Sequence, residues 1–113
     1  MLEKQHRLRK NKEFGYIYKK GESVFSKTLS LFYVKTKKIF KIGFSINNKI
    51  GNSVVRHRIK RRLAHIIKVY LPKLNPNYNY IIMARSGVEL LTFEELKKNI
   101  DDILRKSKKY VEI

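Results

Sequence analysis

The stretch FKIGFSINNKIGNSVVRHRIKRRLAHIIKVYL, residues 40–71, decides the fold, because its hydrophobic period changes once along its length. At its start Phe40, Ile42, Phe44 and Ile46 alternate with Lys41, Gly43 and Ser45. This is a strand with one core face and one small, polar face. NNKIGN then makes a turn, and a helix follows over about 52–71. Val55, Ile59, Leu63, Ile66, Ile67 and Tyr70 fall in one apolar arc at about 100° per residue. Arg58, Arg61, Arg62, His65 and Lys68 occupy the opposite arc, and Arg56 and Lys60 flank the stripe. The helix is therefore glued to a sheet by one face and cationic over most of the rest.

Outward from this unit the other elements follow. Upstream, 11–20 reads as a short helix that Asn11 caps and Gly21 ends, with Phe14, Ile17 and Tyr18 on one face. A weak strand is expected at 23–27 and a firmer one at 29–36. In the latter Leu29, Leu31 and Tyr33 point one way and Ser30, Phe32 and Val34 the other, which leaves Phe32 reachable. Joined by the basic turn at Lys37 and Lys38, the strands at 29–36 and 40–46 are expected to pair as an antiparallel hairpin. Downstream, Pro72 and Pro76 punctuate a loop, and 78–85 is a strand that Gly87 breaks. Thr92 and Glu95 form a capping box for a last helix, which turns Phe93, Leu96, Ile100, Ile103 and Leu104 inward. The order is α-β-β-β-α-β-α, an α+β sandwich of a small sheet with helices packed on it. Its 113 residues suffice for one domain, with 1–10 as a loose basic lead-in.

Composition narrows the function. Lys and Arg number 27 against 9 acids, a formal charge of +18. Such a charge destabilises a compact domain by self-repulsion, and a polyanion relieves it through counterion release. No Cys is present, so disulfides, Cys-based zinc sites and thiol nucleophiles are excluded. No run is long and apolar enough for a membrane span and no signal-peptide pattern follows the basic start, so an intracellular, cytoplasmic protein without a membrane partner is expected. The paired acids, Glu94 with Glu95 and Asp101 with Asp102, are neighbours on a helix and do not converge. His57 and His65 stand two turns apart and His6 lies in the lead-in, so no metal set forms. No small-molecule site is indicated.

Binding chemistry is better supplied. Arg56, Arg58, Lys60, Arg61 and Arg62 put five cations within seven residues of a helix start, and no acid lies between Lys49 and Lys68. Free N–H groups and the guanidinium forks suit phosphate oxygens, so this ridge reads as a dock for structured RNA. Phe14, Tyr18 and Phe32 could stack unpaired bases, although periodicity alone favours ordinary core.

These segments resemble the protein subunit of bacterial ribonuclease P. LRKNKEFGYIYKKG (8–21), KIGFSINNKIGNSVVRHRIKRRL (41–63), YIIMARSG (80–87) and the capped last helix carry the resemblance over nearly the whole chain. It implies a protein that binds a catalytic RNA which, with magnesium held mainly by the RNA, cleaves precursor tRNA to free its mature 5′ end. It also implies a left-handed β-α-β crossover, against the usual hand. Lys49, Asn52, Arg56, His57, Arg58, Lys60, Arg61 and Arg62 would engage the catalytic RNA. Phe14, Tyr18 and Phe32, with Ser45 near by, would hold the 5′ leader of the precursor. No residue of the polypeptide is expected to be catalytic. The chain departs from the family where Arg56-His57-Arg58 replaces Arg-Asn-Arg, where Asn47-Asn48-Lys49 replaces Ser-Lys-Lys, and where Ala64 replaces a basic residue. Arg62 and His65 are expected to make good the charge missing at Ala64. The rival readings are a ribosomal or other structural RNA-binding protein and a self-sufficient nuclease, for which the sequence offers no convergent acids or general base.

Overall fold

The computed structural model describes residues 3–107; the ends of the expected 1–113 domain, residues 1 and 2 of the lead-in included, lie outside them. The elements are α1 (Asn11–Lys20), β1 (Glu22–Phe25), β2 (Leu29–Lys35), β3 (Ile42–Ile46), α2 (Ser53–Tyr70), β4 (Tyr78–Ala84) and α3 (Phe93–Ser107). Their order, α-β-β-β-α-β-α, is the expected one, and the fold is α+β with a mixed sheet.

Pairing corrects the expected hairpin. The sheet order is β1-β2-β4-β3, so β4 lies between β2 and β3. β2 runs antiparallel to β4, whereas β3 runs parallel to it, with Gly43 beside Ile81 and Ser45 beside Met83. Parallel neighbours need a long crossover, and α2 supplies it. The physical reason is burial. β4 is apolar on both faces, with Tyr80, Ile81, Ile82 and Ala84 all buried, and only a central position covers both.

The sheet is covered on both sides. Leu29, Leu31, Tyr33, Ile42, Tyr80, Ile82 and Ala84 pack with Ile59, Leu63, Ile66 and Ile67 of α2 and Leu96, Ile100, Ile103 and Leu104 of α3. On the other face Leu8, Ile17 and Ile81 form a smaller cluster with Phe14, Phe32 and Val34 against it. Each fully buried Ile or Leu contributes about 1.5–3 kcal/mol, so the stripe of α2 fixes that helix firmly on the sheet.

Local details differ from expectation at three points. Asn11 does not cap α1. It is the first helical residue, and Lys10 precedes it in extended conformation without a side-chain cap. Phe93 is not core but 37% exposed. It opens α3, where the capping box leaves the first residue on the rim: the Thr92 N–H donates to Glu95 Oε1 at 2.9 Å and the Glu95 N–H to Thr92 Oγ1 at 3.1 Å. Within the described part of the lead-in, residues 6–8 are pinned to the sheet. Leu8 is buried and its N–H donates to the Ile42 carbonyl at 3.0 Å, while the His6 ring stacks on Phe40 at 4.1 Å. The edge of β3 offers a free backbone row, and residues 7 and 8 pair with it.

Candidate RNA interface

The amino-terminal half of α2 carries the cationic ridge. Asn52 caps the helix, its side chain accepting from the Val55 N–H at 3.0 Å. Asn52 therefore orients the ridge through its own cap bond. Lys49 is exposed on the preceding turn. His57, Arg58, Lys60 and Arg61 are exposed, and Arg56 and Arg62 are half-buried. None of the ridge's arginines or lysines appears in an ion pair among the described residues, where the acid–base pairs are Lys41 with Glu13 and Arg105 with Asp101. Arg56 is not wholly available. Its Nε donates to the Gly51 carbonyl at 3.1 Å and its Nη1 to Asn48 Oδ1 at 2.8 Å. It braces the turn that precedes the helix and presents the rest of its fork outward.

The ridge has two flanks. Arg58, Arg61, Arg62 and His65 line a groove with Phe93 of α3. Arg56, His57 and Lys60 border Phe44, Ile46 and Ser53 on the side of β3. Lys60 reaches a further groove of about 390 Å³, shared with Arg7, Arg9, Phe14, Gly43 and Ala64. Arg62 and His65 line the other flank, whereas Arg7, Arg9 and Lys60 share a groove with Ala64.

A line of aromatic rings crosses the α1 side of the sheet. Phe14 and Tyr18 lie 6.4 Å apart, Tyr18 meets Phe32 edge-on at 4.9 Å, and Phe32 meets Phe25 edge-on at 6.4 Å. Phe14 and Phe32 are half-buried, while Tyr18 and Phe25 are exposed at 36% and 51%. Ser45 is half-buried two residues along from Gly43, on the strand that faces Phe14. The structure thus brings Phe14, Tyr18 and Phe32, which the resemblance singles out, onto one side of the sheet, and sets beside them Phe25, Arg7 and Arg9, which the sequence reading does not single out. Phe25 stood alone in a weak strand, and its neighbour across the sheet is visible only in the pairing of β1 with β2. By sequence the arginines fall in the loose lead-in, although Leu8 between them is an apolar residue that marks an anchored segment.

Two acids of α3 are used structurally. Asp101 accepts from Arg105 Nε at 2.8 Å and from the Tyr70 hydroxyl at 3.1 Å. The bonds from Thr92 hold the Glu95 carboxyl below its usual pKa. Among the described residues no group of three or more His, Cys, Asp or Glu side chains converges. No helix among them is long and apolar enough to cross a membrane.

Known proteins are similar to this chain in architecture and in sequence. The family model described as Ribonuclease P matches residues 2–108. The Ribonuclease P protein component of Lactococcus lactis subsp. lactis (strain IL1403) is 38% identical over 112 residues, covering 98% of this chain and 95% of that protein. The component from Streptococcus agalactiae serotype III (strain NEM316) is 33% identical over 105 residues, 92% of this chain and 95% of its own. The Staphylococcus aureus RNase P protein structure matches with a TM-score of 0.87 at 29% identity, covering 93% of this chain and 97% of that one. The Thermotoga maritima RNase P protein shares the fold, with a TM-score of 0.80 at 18% identity over 88% of this chain and 96% of that one. With its sheet, its capped cationic helix and its matched length, the chain belongs to the ribonuclease P protein family, the protein subunit of an endoribonuclease of tRNA processing whose catalysis is carried by RNA.

Proposed function

We propose that the cationic half of α2 docks the catalytic RNA of ribonuclease P, while the cleft between α1 and the sheet holds the 5′ leader of precursor tRNA. The observation that carries this reading is the exposed set Arg58, Lys60 and Arg61, without ion-pair partners among the described residues, on a helix that a buried stripe and a side-chain cap hold in place. Such groups keep a fixed spacing. They can match a folded phosphate backbone rather than merely attract it, and each neutralised phosphate releases counterions. Phe14, Tyr18 and Phe32, with Ser45 near by, supply stacking faces and a small polar contact for an unpaired strand. Lys49, Asn52, Arg56, His57 and Arg62 complete the ridge.

Magnesium belongs to the RNA in this reading. The residues of the cleft and ridge do not fit a divalent cation, since they are aromatic, cationic or neutral and include no carboxylate, and of the acids of α3, Glu95 and Asp101 are engaged with Thr92, Tyr70 and Arg105. The protein's part is to lower repulsion between the two RNAs and so reduce the magnesium they need. The compartment proposed is the cytoplasm.

The test is reconstitution with the catalytic RNA at low magnesium, scored for cleavage of precursor tRNA. The protein should restore cleavage that the RNA alone performs poorly, and protein freed of RNA should cut nothing. Cleavage that survives prior digestion of the RNA would overturn the assignment of the chemistry.

A further inference from the structure

The groove between α2 and the start of α3 differs chemically from the rest of the ridge. Arg58, Arg61, Arg62, His65 and Phe93 enclose about 410 Å³. Three guanidinium groups surround one exposed aromatic ring, and none of the three has an ion-pair partner among the described residues. The Phe93 ring lies 5.9 Å from the His65 ring with their planes at 58°, so the two rings meet at a tilt rather than face to face. Phe93 retains 37% of its surface in solvent, and the capping box on either side fixes its backbone. Neither Glu94 nor Glu95 lines the groove.

A ridge that met only duplex phosphates would gain nothing from an aromatic ring there. An unpaired nucleotide presents both a base face and phosphates, and recognition of it combines stacking with arginine contacts. We infer that this groove receives one unpaired nucleotide of the catalytic RNA, with its base against Phe93 and His65 and its flanking phosphates on Arg58, Arg61 and Arg62. The inference rests on the docking of that RNA by α2. The catalytic RNA is the occupant rather than the leader because α2 and α3 pack on one face of the sheet and the Phe14, Tyr18 and Phe32 cleft lies on the other.

The experiment titrates the catalytic RNA with the full chain and with Phe93→Ala, Phe93→Leu and Phe93→Tyr at several salt concentrations, with melting curves on each protein. Phe93→Ala and Phe93→Leu should bind about tenfold more weakly, and Phe93→Tyr should bind as the parent does. The log–log salt slope should not change in any of them, because no charge is removed. The preference for precursor over mature tRNA should also be unchanged. Leucine keeps apolar bulk at the start of α3 without a π face. Full affinity in Phe93→Leu would therefore overturn the nucleotide site, and so would a loss specific to precursor tRNA. Arg61→Ala, measured in parallel, reports on the dock itself. A flattened slope there beside full affinity in Phe93→Leu removes the nucleotide site and leaves the ridge standing. An unchanged slope and affinity in Arg61→Ala removes both.

Discussion

Gly43 of β3 lies directly beneath the ring of Phe14: a Cβ at position 43 would stand 2.5 Å from Phe14 Cζ, 2.8 Å from its Cε1 and 2.9 Å from Leu8 Cδ2. The missing side chain is what lets α1 and the lead-in settle on this edge of the sheet. Gly43→Ala should lift the Phe14 ring and loosen Leu8, at a cost of about 1–3 kcal/mol for overpacking. On the proposed reading it should also reduce the preference for precursor over mature tRNA. Thermal melts and the two binding constants check this, and a variant with the parent's melting point would show that the ring yields freely.

Phe14→Ala tests the cleft without adding bulk. Precursor tRNA should bind more weakly by the worth of one stacked base, about 1–3 kcal/mol, and mature tRNA should not change. Equal losses for both substrates would return Phe14 to a purely structural role.

Arg58→Ala with Arg61→Ala tests the ridge. Both side chains are exposed and have no ion-pair partner among the described residues, so their removal should leave the melting temperature nearly unchanged. The log–log salt slope of catalytic-RNA binding should flatten by about one unit per lost phosphate contact. A lower affinity at an unchanged slope would mean that neither residue meets a phosphate.

The elements were legible because the apolar period changes sharply between residues 46 and 53, and Thr92 with Glu95 marks the start of the last helix in plain sequence. Strand partners were not. Alternation tells which face of a strand is buried but not what lies beside it, and a short basic turn suggested a hairpin that a distant strand displaces. The continuous run Tyr80-Ile81-Ile82-Met83-Ala84 held the missing signal, since a strand apolar on both faces belongs at the centre of a covered sheet. The ridge was legible because charge without nearby acid needs no tertiary information. The bracing role of Arg56, the extension of the aromatic line to Phe25 and the exposure of Phe93 depend on contacts between residues that periodicity treats separately.

Arg56 gives a prediction of the opposite kind from Arg58 and Arg61. Its bonds to the Gly51 carbonyl and to Asn48 hold the turn that aims the helix. Arg56→Lys keeps the charge but cannot make both bonds in one plane. It should lower stability by about 1.5–3 kcal/mol, the range for bonds to a charged group, while the salt slope of RNA binding stays the same. Asn48→Ala should reproduce a smaller part of the stability loss. If Arg56→Lys instead flattens the slope at full stability, Arg56 acts only as a phosphate contact.

Tyr80 makes the stability of the fold sensitive to alkali. Its side chain is buried at the centre of the sheet, and its hydroxyl donates to the Asn75 carbonyl at 2.7 Å. Burial pushes the phenol well above its ordinary value, against a smaller opposing effect of the bond to Asn75. The folded state therefore holds this proton more tightly than the unfolded state does. The sign follows from linkage: the contribution is fully present below the unfolded pKa of about 10 and is lost as pH rises above it toward the folded value. Melting temperature should fall from about pH 10 upward. Lysine titration contributes to that fall as well, so the measurement is the difference between the parent and Tyr80→Phe across the same range. The variant lacks the hydroxyl and should start less stable at neutral pH, by about 1 kcal/mol for the lost bond. The gap should then narrow as the parent's phenol is forced to ionise on unfolding. A gap that stays constant from pH 8 to pH 11 would show that Tyr80 ionises as readily in the folded sheet as in the open chain.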